Sequence, residues 1–252
     1  MADNFNVEYE NCPIVGAAIE YPAGFIHPFH SHDRAQLLFA SSGIMVAEVP
    51  STSYFIPPGR ALWVPSGVPH KVACRSDISL RTLYITTDTI DIAAECRVLE
   101  VSDFLRALIL EAVHFPAEEG AREREEQIVR LLAGEIAAAP RAPLQLKMPS
   151  DQRLLAICRE IQDIPSNGRN LDEWATFAGM SKRSLTRLFR GQTGISLSAW
   201  RQQARLLEAL SLLAAGQPVT EVAYAVGYES SSSFSAVFRQ TFGTSPKRYR
   251  LT

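Results

Sequence analysis

The chain has 252 residues, 46% of them apolar and 21% charged, with a formal net charge of −2; these values fit a folded globular protein of one large or two ordinary domains. No apolar run approaches the roughly 18 residues of a membrane span, and the acidic, polar start Met1–Glu10 lacks the basic flank and apolar stretch of a signal peptide, so a cytoplasmic protein is expected. Charge is unevenly placed: residues 151–252 hold 13 Lys+Arg against 8 Asp+Glu, and the remainder 12 against 19, as in a polyanion-binding module joined to a domain with another task.

The N-terminal half is expected to be β. Runs rich in Val, Ile, Phe, Tyr and Trp (Ile44–Val49, Tyr54–Ile56, Ala61–Val64, Leu80–Ile85) are punctuated by turn-forming stretches such as Ser41-Ser42-Gly43 and Pro57-Pro58-Gly59, a spacing that predicts a sandwich or barrel. His30, His32 and Gln36 share parity on an extended segment, which would turn all three to one face.

The stretches Gly24-Phe-Ile-His-Pro-Phe-His30-Ser-His32…Gln36…Gly43 and Gly59…Pro65-Ser-Gly67-Val-Pro-His70 resemble the signature of the cupin family. The resemblance covers about Gly24 to Cys74. It implies a small β-barrel with an interior site made from His30, His32, Gln36 and His70. Gln36 stands where the family has a glutamate, and Cys74 where it has an asparagine. Three imidazoles suffice for a divalent transition metal (zinc, nickel, iron or manganese) with open positions. Alternatively, the same histidines line an organic-ligand pocket without metal, and both readings stay open. Phe25, Phe29 and Trp63 would supply an apolar wall, which points to an aromatic or hydrophobic effector. His27 is placed just outside this set and His114, on a helix, at the surface or an interface. Cys12, Cys74, Cys96 and Cys158 show no metal-type spacing and read as reduced thiols.

From Val101 the apolar period becomes helical. Phe104, Leu105, Leu108, Ile109, Ala112 and Val113 form one stripe, and Ile128, Leu131, Leu132 and Ile136 another on a helix over about Glu123–Ala138. One stripe would cover the barrel and leave another to bury, so a homodimer through these helices is expected. Ala139–Pro149 has three prolines in eleven residues and no periodicity. It divides the chain into a sensor and dimerisation domain (1–139), a linker (140–150) and a helical domain (151–252).

The helical domain repeats itself. Leu171-Asp-Glu-Trp-Ala175…Gly179-Met-Ser181…Leu188-Phe-Arg190 is echoed by Val219-Thr-Glu-Val-Ala223…Gly227-Tyr-Glu-Ser230…Val237-Phe-Arg239, and the likeness continues through Gly194/Gly243, Ser196/Ser245 and Trp200/Tyr249. Each copy has a small residue for a close helix crossing, a glycine for a tight turn and a serine to cap the next helix, which is the logic of a helix-turn-helix. Two such units in tandem indicate DNA binding.

The region 153–250 resembles the DNA-binding domain of the AraC/XylS family of transcription regulators. Its most specific part is the ending Ser233-Phe234…Phe238-Arg239…Phe242-Gly243-Thr-Ser245-Pro246-Lys-Arg-Tyr249-Arg250. The resemblance implies two units joined by a long helix, Leu197 to Ala215, that read successive major-groove segments of a double-stranded operator. By position, Ser181, Lys182, Arg183, Thr186, Arg187 and Arg190 belong to the first recognition helix, and Ser230, Ser231, Ser232, Ser235, Ala236 and Arg239 to the second. Arginine and lysine can reach guanine edges, whereas serines are short and Ala236 has nothing to offer a base, so the first unit should carry most of the specificity.

The expected whole is an α+β protein: a cupin-like β-barrel with flanking helices, then an all-α tandem helix-turn-helix domain. Its expected function is sequence-specific transcription regulation, modulated by a small ligand in the barrel, with RNA polymerase as a further partner if it activates. The alternatives are a cupin-type metal-dependent enzyme carrying a DNA-binding tail and a purely architectural DNA binder. Nothing beyond the histidines supplies an acid/base set for the first, so no enzymatic activity is expected. The arginine-rich helix and the pocket histidines argue against the second.

Overall fold

The computed structural model describes residues 12–86, 94–115 and 123–249; Met1–Glu10 and Arg250, which carried sequence readings, lie outside them. The chain forms two compact units, residues 1–50 with 54–144, and residues 51–53 with 145–252.

The first unit is built on β1 (Ile14–Tyr21), β2 (Ile26–His30), β3 (Ala35–Ser42), β4 (Met45–Val49), β5 (Thr52–Ile56), β6 (Arg60–Val64), β7 (His70–Cys74), β8 (Ile78–Ile85) and β9 (Arg97–Glu100). One sheet runs β1-β8-β3-β6-β9, and the other continues from β5 through β4 and β7 to β2. The strand at the centre of the first sheet, β3, is buried along Ala35–Ala40, so it reads as an unbroken apolar run save for Gln36, the pattern of a strand covered on both faces. Its alternation divides the unit. Leu37 and Phe39 join Trp63, Leu83 and Ile85 in a core covered by α1 (Asp103–Ala112) and α2 (Glu123–Ala138). Gln36 and Leu38 face the opposite way, into the barrel interior.

Ser102 caps α1 by accepting the Leu105 N–H at 3.1 Å. A Cβ on Gly16 of β1 would stand 2.4 Å from the Val113 Cα, so only glycine lets the end of α1 lie this close to the sheet. The two apolar stripes are split by this packing. Leu105, Leu108, Ile109 and Ala112 from α1, with Val129, Leu132 and Ile136 from α2, bury against the sheet. Phe104 and Leu131, expected within those stripes, face outward, 51% and 50% exposed.

The proline-rich stretch read as a linker is ordered. Arg141 bridges Leu99, Ala142 and Leu144 are buried, and Gln145–Lys147 form a short strand, β10. Within the second unit this segment is held by the Met148 N–H on the Ser51 carbonyl, by the Trp200 Nε1–H on the Lys147 carbonyl and by Gln203 Nε2 on the Gln145 carbonyl, at 2.9, 2.9 and 2.8 Å.

The second unit contains α3 (Gln152–Asp163), α4 (Leu171–Phe177), α5 (Lys182–Thr193), α6 (Leu197–Ala214), α7 (Val219–Ala225), α8 (Ser231–Phe242) and α9 (Pro246–Tyr249). The sequence repeat becomes a structural one. Gly179 and Gly227 have φ of 63° and 82°. Each lets the helix before it close with two reversed bonds: Gly179 to the Thr176 carbonyl and Met180 to Ala175, then Gly227 to Tyr224 and Tyr228 to Ala223. Ser181 and Ser230 then accept the N–H three residues on. Helix α6 is the spine: Trp200, Ala204, Leu206, Leu207, Ala209, Leu210 and Leu213 are all buried, because a helix with neighbours on several sides needs apolar residues around most of its girth.

Candidate nucleic-acid interface and barrel site

In α5, Leu185 and Phe189 turn into the core, and Lys182, Arg183, Thr186, Arg187 and Arg190 are exposed together. These five residues and Gly191 line one open groove, as spacings of three and four on a helix require. Lys182 pairs with Asp172. Among the described residues, Arg183, Arg187 and Arg190 have no ion-pair partner, so their charge is available to a polyanion. Ser181 is occupied as the N-cap, its hydroxyl accepting the Ser184 N–H at 3.1 Å.

The matching face of α8 is poorer. Ser230 is the cap, accepting the Ser233 N–H at 3.2 Å. Ser231 and Ser235 are half-buried, while Ser232, Ala236, Arg239 and Gln240 are exposed. Arg239 lies in the last turn, far from the N-terminal half that enters a groove in this motif. The two helices therefore present unlike surfaces: a cationic face on α5, a short hydroxyl face on α8.

In the barrel, His30 at the end of β2, His32 in the turn after it and His70 at the start of β7 converge, with one ligand atom from each within 4.8 Å of the others. Pairing of β2 with β7 puts His30 opposite His70. The strand ends at His30, so the turn rather than strand alternation brings His32 to the cluster. His70 is fully buried and His32 nearly so. Burial is also the main reason the His70 imidazolium is disfavoured, its pKa pushed down to about 4.

The hydrogen bonds specify which nitrogens are free. His32 Nδ1 lies 2.6 Å from the Arg34 carbonyl, and His70 Nδ1 2.9 Å from that of Val68. A carbonyl can only accept, so each Nδ1 carries a proton, and the Nε2 of a neutral ring presents its lone pair. Both Nε2 atoms meet Gln36 Oε1, at 3.1 and 3.0 Å, while Gln36 Nε2 donates to Thr82 Oγ1 at 2.9 Å. With the Gln36 amide in this orientation, a cation between the three atoms would satisfy all of them. Bonds of about 2.1 Å to one metal hold neighbouring ligands about 3.0 Å apart at right angles and about 3.4 Å apart at the tetrahedral angle, and backbone carbonyls fixing Nδ1–H are the usual outer support of such ligands. The donor set therefore fits a divalent transition metal. With the Gln36 amide turned over, its NH2 would instead donate to both rings and no ion would be needed.

The cavity beside this cluster is small, about 30 Å³. Phe25 lines it, stacked on Tyr21 at 4.1 Å between ring centroids. The other two residues expected in its wall are elsewhere. Phe29 is 54% exposed, because it points away from the barrel interior, and Trp63 lies in the helix-covered core on the far face of the first sheet. The structure adds residues the sequence reading left out. His27, placed just outside the set, touches it: its Nδ1 is 3.1 Å from His30 Nδ1, and it lines the cavity without joining the three-histidine cluster. Tyr84 meets His32 edge-on at 5.1 Å, and Thr82 holds Gln36. Both come from β8, and only strand pairing brings them here.

Residues 174–252 match the family model of a helix-turn-helix domain, and residues 18–86 that of a cupin domain. The chain is 31% identical over 227 residues to the HTH-type transcriptional regulator NimR of Escherichia coli (strain K12), covering 89% of this chain and 83% of that protein. It is 33% identical over 107 residues to the arabinose operon regulatory protein of the same organism, 42% of this chain and 37% of that one. Among solved structures, ToxT from Vibrio cholerae aligns over 95% of this chain and 98% of its own, at 13% identity and a TM-score of 0.41. Among the described residues, no helix is long and apolar enough to cross a membrane. With its cupin domain followed by tandem helix-turn-helix units, the chain belongs to the AraC/XylS family of DNA-binding transcription regulators.

Proposed function

We propose that this regulator senses a small ligand in its barrel over a metal held by His30, His32 and His70, with Gln36 completing the set, and that α5 is its main reader of operator sequence. The observation carrying the sensor reading is the meeting of two imidazole lone pairs with the Gln36 amide oxygen beside an aromatic-walled cavity. A bound zinc, nickel, iron or manganese ion would supply a Lewis-acid centre for an effector's oxygen or nitrogen atom. Gln36 is neutral and binds metal more weakly than a glutamate, which leaves coordination positions for that atom. An effector bound here would contact the Tyr21–Phe25 stack, whose two rings line the same cavity.

The reading is non-enzymatic: effector and metal bias DNA occupancy and nothing is turned over. It places the protein in the cytoplasm as a homodimer through α1 and α2, with RNA polymerase as its partner where it activates. The deciding measurement is elemental analysis of protein purified without an affinity tag, paired with affinity for upstream DNA before and after chelation. Stoichiometric metal whose removal changes DNA affinity supports the sensor. A metal content near zero, unrestored by dialysis against zinc, nickel, iron or manganese, rejects the metal and leaves the histidines as pocket lining.

A further inference from the structure

Among the described residues, the barrel cavity is lined without a single Asp, Glu, Lys or Arg. Its polar lining is His27, His30, Gln36, His70, Thr82 and Tyr84. The rest is apolar apart from Cys74, and burial pushes the pKa of that thiol up, so it stays protonated. Charged residues next to the histidines in sequence are engaged elsewhere. Asp33 is exposed, Arg34 Nη1 donates to the Cys12 carbonyl at 2.7 Å, and Lys71 Nζ pairs with Glu48 at 2.9 Å. Gln36, only 3% exposed, sets the charge of the site: it has the shape of a glutamate and none of its charge. A divalent ion on neutral imidazoles and an amide oxygen therefore keeps its full charge inside an otherwise apolar barrel. A buried charge without a counter-charge is costly, and a bound cation is the largest local charge of such a site.

We propose, building on the metal reading of this site, that the effector is a small monoanion, a carboxylate on a compact apolar body, and that Gln36 is the residue that selects for it. The effector supplies the negative charge that the chain withholds, and its apolar part lies against Tyr21 and Phe25. Glutamate at position 36 would fill the same space. It would accept the Thr82 hydroxyl proton in place of the present bond from Gln36 Nε2 to Thr82 Oγ1. It would also cancel part of the ion's charge and repel an incoming anion at short range. With glutamine there, an anion is drawn in, a cationic amine is repelled, and an uncharged ligand leaves the ion unbalanced.

The test titrates the full chain, loaded with cobalt(II) by dialysis as a spectroscopic stand-in for the metal. The ligands are formate, acetate and benzoate, with pyridine as an uncharged aromatic reference. The visible bands of cobalt report coordination, and calorimetry gives the affinities. In the unaltered chain, acetate or benzoate binds more tightly than pyridine, and more tightly than formate, which has no apolar part. Gln36→Glu keeps cobalt and lowers carboxylate affinity by about tenfold or more, while pyridine affinity changes by less than about threefold. The comparison within the unaltered chain holds whether or not Gln36→Glu folds. Equal carboxylate affinities in the two chains, pyridine as the tightest ligand, or formate binding as tightly as its larger homologues each overturn the proposal and leave the metal site standing. An unaltered chain that takes up no cobalt removes the metal reading and this proposal with it.

Discussion

Gly227 lies directly against Arg205: the guanidinium Nη1 donates to the Gly227 carbonyl at 3.3 Å, and a Cβ at this position would stand 2.6 Å from Nη2. Arg205 also donates from Nε to the Pro165 carbonyl at 2.7 Å, so one side chain of α6 ties the turn of the second helix-turn-helix to the segment leading into the first helix-turn-helix. Gly179, its counterpart in the first helix-turn-helix, has open space around it. Alanine at either glycine meets the left-handed backbone penalty of about 1–2 kcal/mol. Gly227→Ala should lose roughly a further 1–3 kcal/mol through collision with Arg205 and the Ser166 backbone. Urea unfolding of both variants checks this, and equal losses would mean that the Arg205 contact carries no weight.

Sequence reading should rest on α5. Arg183→Ala and Arg187→Ala each cost about 1–3 kcal/mol of operator affinity if they hold guanine edges in pairs of bonds. Ser231→Ala on α8 costs much less, because that residue is short and half-buried. Binding titrations on the natural upstream region decide it. Intact affinity in both arginine variants, with loss in Ser231→Ala, would reverse the roles of the two units.

At the barrel site the informative change is Gln36→Glu. The oxygen 3.0 and 3.1 Å from the two Nε2 atoms becomes anionic, so a metal should bind more tightly, by about tenfold or more, given the stronger pull of charged ligands on a cation. In a metal-free polar network the same change buries a carboxylate and lowers stability instead. Metal titration together with thermal melting separates the outcomes: tighter metal binding supports the metal site, and a lower Tm with no gain in affinity refutes it.

Phe104 and Leu131 are exposed on the two helices that cover the first sheet. Leu131→Glu should turn a homodimer into a monomer at micromolar concentration, leaving the fold intact because the side chain already faces water. Sedimentation of the full chain gives the answer directly. A protein that is monomeric before the substitution ends the dimer reading.

Local rules made much of this molecule legible from its residues. Alternating apolar strands, helix-period stripes, serine caps and two glycines needing positive φ act over a few positions each. They therefore show in order along the chain, and the repeat doubles the signal for the DNA-binding helices. His30, His32 and His70 were readable as a set because a family pattern carries their spacing. What surrounds them was not. Tyr84 and Thr82 reach the site through the pairing of β3 with β8, and Trp63 and Phe29 leave it because strand geometry turns them to other faces. The same holds for a cavity at the start of α6: Trp174, Thr186 and Arg201 sit on three helices, and only their packing makes them line one space. Sequence determines what each element is and which chemistry it carries, since those choices cost energy locally. Only packing decides which of those chemistries meet, because the energies that settle it belong to contacts between residues far apart in the chain.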